Sequence, residues 1–502
     1  MPGRNALLDL AEKLNGIAII SSELQPQDIR EEDIDYIVLH IAEYFENKPG
    51  LKILGKQALD EILKLKVDEK APVQIEINRS SDFKPIAKDI ESRFKFRNVY
   101  PGTTNGNTDS FVEFFRDRFN RQKKMIETNS GNMYGIINSI DAIKQYASGR
   151  EVAIIGMVSE KTITKNGHVL LTIEDETDTA KVLVPVSESP AGKEVFEKGK
   201  KTIFEDVIAV RGKLSGELII ANMILYPDIP IRARKVSEED FAVAFLSDIH
   251  VGSKLFMEKN FAEMLKWLNN GIDYKKDLLG KIKYIVISGD LVDGIGVYPN
   301  QDRDLAILDI YKQYSVLFDF MENVPDYIEI FMLPGNHDGV HRAEPQPELA
   351  DDLIGDFKLD NVHLVSNPGY LNLNGMKVLG YHGTSLDSII QNVPGCSYRT
   401  PETAMVETLK RRHLSPVYGG NNIIPSKRDG MVIDEVPDIL HMGHEHKNGV
   451  TDHHGTLVLN SGTWQGRTDY QIKQGHMPTP CIVPIYETKF ARLTNIDFTE
   501  VA

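Results

Sequence analysis

The stretch FAVAFLSDIH, residues 241–250, decides how this chain is read. It is a short apolar run that ends on an aspartate and a histidine two residues apart. The same pattern recurs in KYIVISGD (283–290), IEIFMLPGNHD (328–338), KVLGYHG (377–383) and ILHMGHEH (439–446), with a further apolar run in TLVLNSG (456–462). Helical segments such as NFAEMLKWLNNG (260–271) separate the earlier runs. Alternating strand and helix predicts an α/β layered domain. In open sheets of this kind, ligands gather outside the carboxyl ends of the strands. Residues as far apart as Asp248 and His446 can therefore converge on one site.

The polar endings share one chemistry. Asp248, His250, Asp290, Asn336, His337, Asp338, His382, His444 and His446 offer carboxylate, imidazole and amide oxygen, with no thiolate. That donor set suits borderline or hard divalent cations such as Mn²⁺, Fe²⁺ or Zn²⁺. The i, i+2 spacing in Asp248/His250 and His444/His446 points each pair the same way from an extended strand end. Gly289 makes a turn before Asp290 and exposes a carboxylate whose two oxygens can bridge two ions. Adjacent residues in a tight turn point apart, so His337 stays free if Asn336 is a ligand. A free imidazole there can stabilise a transition state or protonate a leaving oxygen. Each motif alone is weak. The ordered set DxH, GD, GNHD, HG and GHxH, each after an apolar strand, is specific. His40, His168, His363, His453, His454 and His476 read as ordinary structural or surface histidines.

Toward the N-terminus the pattern changes. Residues 131–232 carry short β-branched runs broken by Gly, Asn and Asp turns, with a helix-like SPAGKEVFEKGKK (189–201) among them. This is the rhythm of a small five-strand barrel of the OB type. Its strands hold few aromatics, so a structural or subunit-contact barrel is expected over a reader of single strands. Residues 76–130 read as a linker followed by an amphipathic helix, SFVEFFRDRFNRQKKMI (110–126). Phe111, Phe114, Phe115 and Phe119 lie near one face and basic residues on the rest. Packing on the next domain is the plainer reading; contact with DNA or a partner is the other. Residues 1–75 show apolar positions at helical spacing and predict a small helical module.

Composition narrows the function. The 502 residues carry a formal charge of −16. That excludes a protein that coats nucleic acid through one broad basic face, and any DNA contact must be focused. No run approaches the roughly 20 apolar residues of a membrane span. The N-terminal MPGRNALLDLAEKL is broken by Asp9, Glu12 and Lys13 and does not read as a signal peptide. Cys396 and Cys481, the only two cysteines, form no metal spacing. A cytoplasmic, nucleoid-associated location with no membrane contact is expected.

On these motifs, residues 240–490 resemble the calcineurin-like metallophosphoesterase superfamily. More specific segments are RRHLSPVYGG (411–420), VIDEVPDILHMGHEH (432–446) and NSGTWQGRTDYQ (460–471). They resemble the small subunits of archaeal D-family DNA polymerases. The resemblance implies a multidomain α+β chain: a helical N-terminal module (1–75), a linker with its helix (76–130), an OB-type barrel (131–232) and an α/β four-layer phosphoesterase domain (233–502). It implies two divalent ions, Mn²⁺ first, with Fe²⁺, Zn²⁺ or Mg²⁺ as alternatives. Asp248, His250, Asp290 and His446 would hold one ion. Asp290, Asn336, His382 and His444 would hold the other. His337 would be catalytic and Asp338 its orienting partner. The implied activity is a metal-dependent 3′–5′ exodeoxyribonuclease, acting on DNA 3′ ends and proofreading for a large catalytic subunit. Contact with a sliding clamp or primase would come through that complex. Arg399, Arg411, Arg412 and Arg467 lie near the motifs and are candidates for holding the DNA backbone. The alternatives are another metallophosphoesterase (a repair nuclease or phosphatase), a catalytically silent accessory subunit, and a barrel-led single-strand binder.

Overall fold

The computed structural model describes residues 3–14, 18–25, 28–29, 33–45, 51–65, 83–130, 138–355 and 357–501. The chain divides into two compact units, Met1–Gln74 and Ile75–Ala502. In the first, helices span Gly3–Lys13, Ile34–Tyr44 and Lys56–Leu65. Ile34, Ile37 and Ile41 recur at helical spacing and bury against Leu10, Leu59 and Ile62. The unit is mixed, not purely helical, because Ile19–Ile20 and Ile53–Leu54 pair as a short parallel ladder.

The second unit holds a barrel and a two-sheet layered domain. The barrel closes in the order Glu151–Ile163, Val169–Glu174, Thr179–Val184, Leu218–Leu225 and Val207–Ser215. Alternate residues such as Val169, Leu171 and Ile173 fill its interior. The helix Pro190–Lys201 begins at Ser189, whose hydroxyl accepts from Gly192 N at 3.2 Å. Proline in its first turn and lysines in its last suit the unpaired ends and the dipole.

One sheet runs Val362–Leu364, Glu329–Leu333, Ile282–Ser288, Ala242–Leu246, Ile482–Glu487, Arg492–Asp497. Its first four strands are parallel. The other runs Gly449–His453, Thr456–Asn460, Ile439–Met442, Met376–Gly380, Gly369–Leu373, Phe94–Asn98. The apolar runs are continuous because both faces of each sheet are covered. Val243, Phe245, Val286, Phe331 and Leu333 meet Leu371, Val378, Ile439 and Leu459 between the sheets. Their alternates, Ala244, Leu246, Ile287, Ile330 and Met332, face helices Glu258–Leu268 and Ile310–Met321. Leu440, Met442 and Val458 face helices Leu386–Asn392 and Glu402–Arg411 on the far side. The order is helices, sheet, sheet, helices. Each fully buried large apolar side chain contributes roughly 1.5–3 kcal/mol.

The segment expected as a linker differs from expectation. Phe94–Asn98 pairs antiparallel with Gly369–Leu373 and completes the second sheet. The following helix, Thr108–Ser130, is buried on more than its aromatic face. Phe119 and Ile126 pack against Ile155, Met157, Val207 and Ala209 of the barrel. Arg118 is 2% exposed and its Nε donates to Asp429 at 2.7 Å. Gln122 donates to the carbonyl of Arg411 at 2.8 Å. The helix packs between the barrel and the layered domain, so packing is its role here.

Candidate metal centre

Strand after strand delivers a donor at its carboxyl end. Ala242–Leu246 leads to Asp248 and His250, Ile282–Ser288 to Asp290, Glu329–Leu333 to Asn336, Met376–Gly380 to His382, and Ile439–Met442 to His444 and His446. The i, i+2 pairs do not rest on the extended backbone that their spacing predicts. Asp248, His250, Asp290, His444 and His446 all have left-handed φ, between 50° and 68°. Such strain costs about 1–3 kcal/mol at each non-glycine residue and persists where the surroundings enforce it. Two glycines make room. Gly289 has φ 85°, and a Cβ there would overlap His382 Nδ1. A Cβ on Gly443 would overlap the Asp248 carboxylate.

The donors form two clusters. Asp248, His250 and His446 bring one atom each within 4.8 Å of one another, and so do Asp290, His382 and His444. One oxygen of Asp290 serves both: Oδ2 lies 3.7 Å from His250 Nε2 and 3.3 Å from His382 Nε2. Asn336 Oδ1 joins the second cluster, 2.9 Å from His382 Nε2. Asp248 Oδ1 is 3.4 Å from His446 Nε2. Asp248, His250, Asp290, His382 and His446 are buried. Among the described residues no lysine or arginine bonds to any of these donors. Burial opposes charge on His250, yet Asp293, Asp290 and Asp248 push it up to about 9. Burial likewise opposes charge on His444, and Asp387, Glu445 and Asp290 push it up to about 10. Against its own burial, Asp290 is held well below the usual carboxylate range by His382, His337 and His250. The pocket therefore favours added positive charge. Divalent cations supply that charge and suit oxygen and imidazole donors, so the residues fit two metal ions.

A second layer orients the donors. Asp293 Oδ1 lies 2.9 Å from His250 Nδ1, Asp387 Oδ2 lies 3.1 Å from His444 Nε2, and Gln471 Nε2 lies 2.9 Å from His446 Nδ1. His382 Nδ1 donates to the carbonyl of Ser288 at 3.0 Å. Such partners set ring orientation and tautomer. Beneath the donors, His441 bridges the two sheets between Ser288 Oγ and Ser461 Oγ, at 2.8 and 2.9 Å. Burial pushes it down to about 3, so it stays neutral.

Two expectations need correction. Asp338 does not orient His337. Its buried carboxylate accepts from Gly335 N at 2.7 Å, Leu291 N at 3.1 Å and the Tyr314 hydroxyl at 2.9 Å. It pins the GNHD turn to the end of the neighbouring strand. His337 Nδ1 instead donates to the Asp293 carbonyl at 2.8 Å, leaving Nε2 4.0 Å from Asp290 Oδ2. Arg411 and Arg412 are buried and do not face DNA. Arg411 pairs with Asp206 at 2.9 Å and with Glu407. Arg412 donates to the carbonyls of Ile433 and Asp434, at 2.8 and 2.7 Å. Arg399 and Arg467 are exposed.

Two sheets with carboxylate–imidazole clusters at their strand ends accompany a metallophosphoesterase domain: the calcineurin-like phosphoesterase family matches residues 241–480. Among similar proteins, the DNA polymerase II small subunit of Methanocaldococcus jannaschii is 39% identical over 81% of this chain and 69% of that protein. That of Archaeoglobus fulgidus is 40% identical over 76% of this chain and 75% of the relative. That of Thermoplasma acidophilum is 37% identical over 89% and 90%. The chain belongs to the family of archaeal DNA polymerase II small subunits.

Proposed function

We propose that this chain is a metal-dependent 3′–5′ exodeoxyribonuclease that proofreads for the large catalytic subunit of a replicative DNA polymerase. The observation that carries the reading is the complete double cluster that shares Asp290 Oδ2. A catalytically silent subunit would have no use for five strained donors. Asp248, His250, Asp290 and His446 would hold one ion, and Asp290, Asn336, His382 and His444 the other, with Mn²⁺ preferred. When bound, such ions lower the pKa of an attacking water and neutralise charge on the phosphate. His337, anchored through Nδ1, aims Nε2 at the centre. It stabilises the developing charge or protonates the leaving 3′ oxygen. Asp338 acts through the turn that carries Asn336 and His337.

The substrate is the 3′-terminal phosphodiester of DNA. Unpaired ends are preferred because a mispaired terminus frays. The large subunit is the direct partner, with a clamp or primase reached through it, in the cytoplasm on nucleoid DNA. The functional divisions are 1–75, 76–130, 131–232 (an OB-type barrel) and 233–502, although strand Phe94–Asn98 completes the last of these.

The test is digestion of a 5′-labelled single strand with Mn²⁺ or EDTA, by wild type and His337→Ala, alone and with the large subunit. A metal-dependent ladder that shortens from the 3′ end, weakened about 10²–10⁴-fold in His337→Ala, is expected. No ladder from either preparation, despite bound metal, would sink the reading.

A further inference from the structure

The segment from Arg467 to Thr479 runs beside the centre and holds His446 of one cluster at two points. Gln471 reaches His446 in one cluster, and Thr479 N donates to the His446 carbonyl at 2.8 Å. Near its far end, His476 stacks on Tyr398, with ring centroids 4.5 Å apart and planes 29° apart. The Tyr398 hydroxyl accepts from Gln391 Nε2 at 3.4 Å and lies near enough to Asp387 to feel its charge. Asp387 in turn holds His444 in the other cluster. A stacked aromatic pair therefore stands two side chains from a metal donor. Both rings are only half-buried.

The surroundings suit one kind of ligand. Tyr470, Ile472 and Met477 on this segment are 67%, 53% and 61% exposed. Arg467 and Lys473 on it are exposed too, and the Arg467 charge acts on His476. Partly exposed rings, apolar side chains and cations beside a phosphodiester site are the recognition chemistry of single-stranded nucleic acid. They matter more in a chain of formal charge −16, which must focus its DNA contact.

We infer that the Tyr398–His476 pair is the platform on which a base at an unpaired DNA 3′ end stacks, with Arg467 on its backbone. The inference rests on the exonuclease reading and names its specificity element. Stacking is blind to sequence, because every base has a π face. It selects ends whose bases have already left the duplex. Tyr398 is a substrate-binding residue here and supplies no proton to the reaction.

The experiment compares wild type, Tyr398→Ala, Tyr398→Phe and His476→Ala in the full chain with its large subunit and Mn²⁺. Substrates are an oligothymidylate, the same strand with an abasic 3′-terminal nucleotide, and bis(p-nitrophenyl) phosphate, a diester with no nucleobase. Tyr398→Ala should raise KM for the oligothymidylate roughly 5- to 100-fold. That loss should exceed its loss on the small diester about tenfold, and Tyr398→Phe should recover most of it. The abasic end should penalise wild type by a similar factor and Tyr398→Ala little further. An unchanged KM in Tyr398→Ala, or equal losses on both substrates, overturns the platform alone. Wild type that cleaves the small diester but never the oligonucleotide overturns the exonuclease reading and the platform together.

Discussion

Two buried clusters in this molecule use the same residue types to opposite ends. At the candidate metal centre, aspartates and histidines face one another at 3.3–3.7 Å, with no lysine or arginine bonded to them among the described residues. Beside the middle of helix Thr108–Ser130, Asp429 accepts from Arg118 at 2.7 Å and from His413 at 2.8 Å. There the Asp429 carboxylate has a direct guanidinium partner. Ser415 N also donates to His413 Nδ1 at 3.1 Å, so the ring is satisfied as a neutral group. The backbone differs as well, since five of the candidate donors are left-handed and Asp429 and His413 are not. Buried Asp and His do not by themselves make a metal site. What separates the two is whether a fixed cation already closes the cluster.

Removing the shared oxygen should break the contrast most completely. Asp290→Ala should take hydrolysis to background and reduce bound metal at both positions, read by elemental analysis of the purified chain. The matching change in the closed cluster is Arg118→Ala. It leaves Asp429 buried without its guanidinium and should cost about 3–5 kcal/mol by denaturant unfolding, with metal content retained. Loss of metal in that variant would show the two clusters to be coupled. A smaller effect should come from Asp293→Asn, which weakens the carboxylate behind His250. Metal affinity should fall about 10- to 100-fold with the fold intact, measured by competition with a chelator.

The smallest expected effect is a pH slope. Burial and then Arg118 push His413 down to about 4, from 6.5, despite Asp429. A lowered folded pKa means that the native state binds fewer protons. Its stability is therefore fully present above pH 6.5 and drains as pH falls toward 4. His413→Gln should flatten that part of the unfolding free energy against pH. An unchanged slope would place the acid sensitivity elsewhere.

The donors were legible because each sits just past an apolar strand, where the hydrophobic pattern stops abruptly. The residues behind them were not. Asp293 lies three positions beyond Asp290, Asp387 opens a helix, and Gln471 lies in another, with no strand to announce them. Gln471 falls within NSGTWQGRTDYQ, one of the segments that carry the family resemblance. Its contact with His446 ties that segment to the donors. Arg411 and Arg412 read as surface cations because sequence carries no sign of the buried carboxylate or carbonyls that receive them. His476 read as ordinary for the same cause: its partner, Tyr398, is 78 positions away (476 − 398). The parallel ladder of the first unit is only two residues per strand, too short to show a period.

The strand Phe94–Asn98 sets a limit on how the molecule can be cut. It is the outermost strand of its sheet, and Gly369–Leu373 lies directly inside it. A shortened chain that starts after the apparent linker, at residue 108, would bare the row of backbone groups that Phe94–Asn98 now satisfies. Bare edges template pairing with other chains. Such a fragment should self-associate even with every metal donor in place. One that starts at the boundary of the two compact units, near Ile75, keeps its edge covered by its own strand.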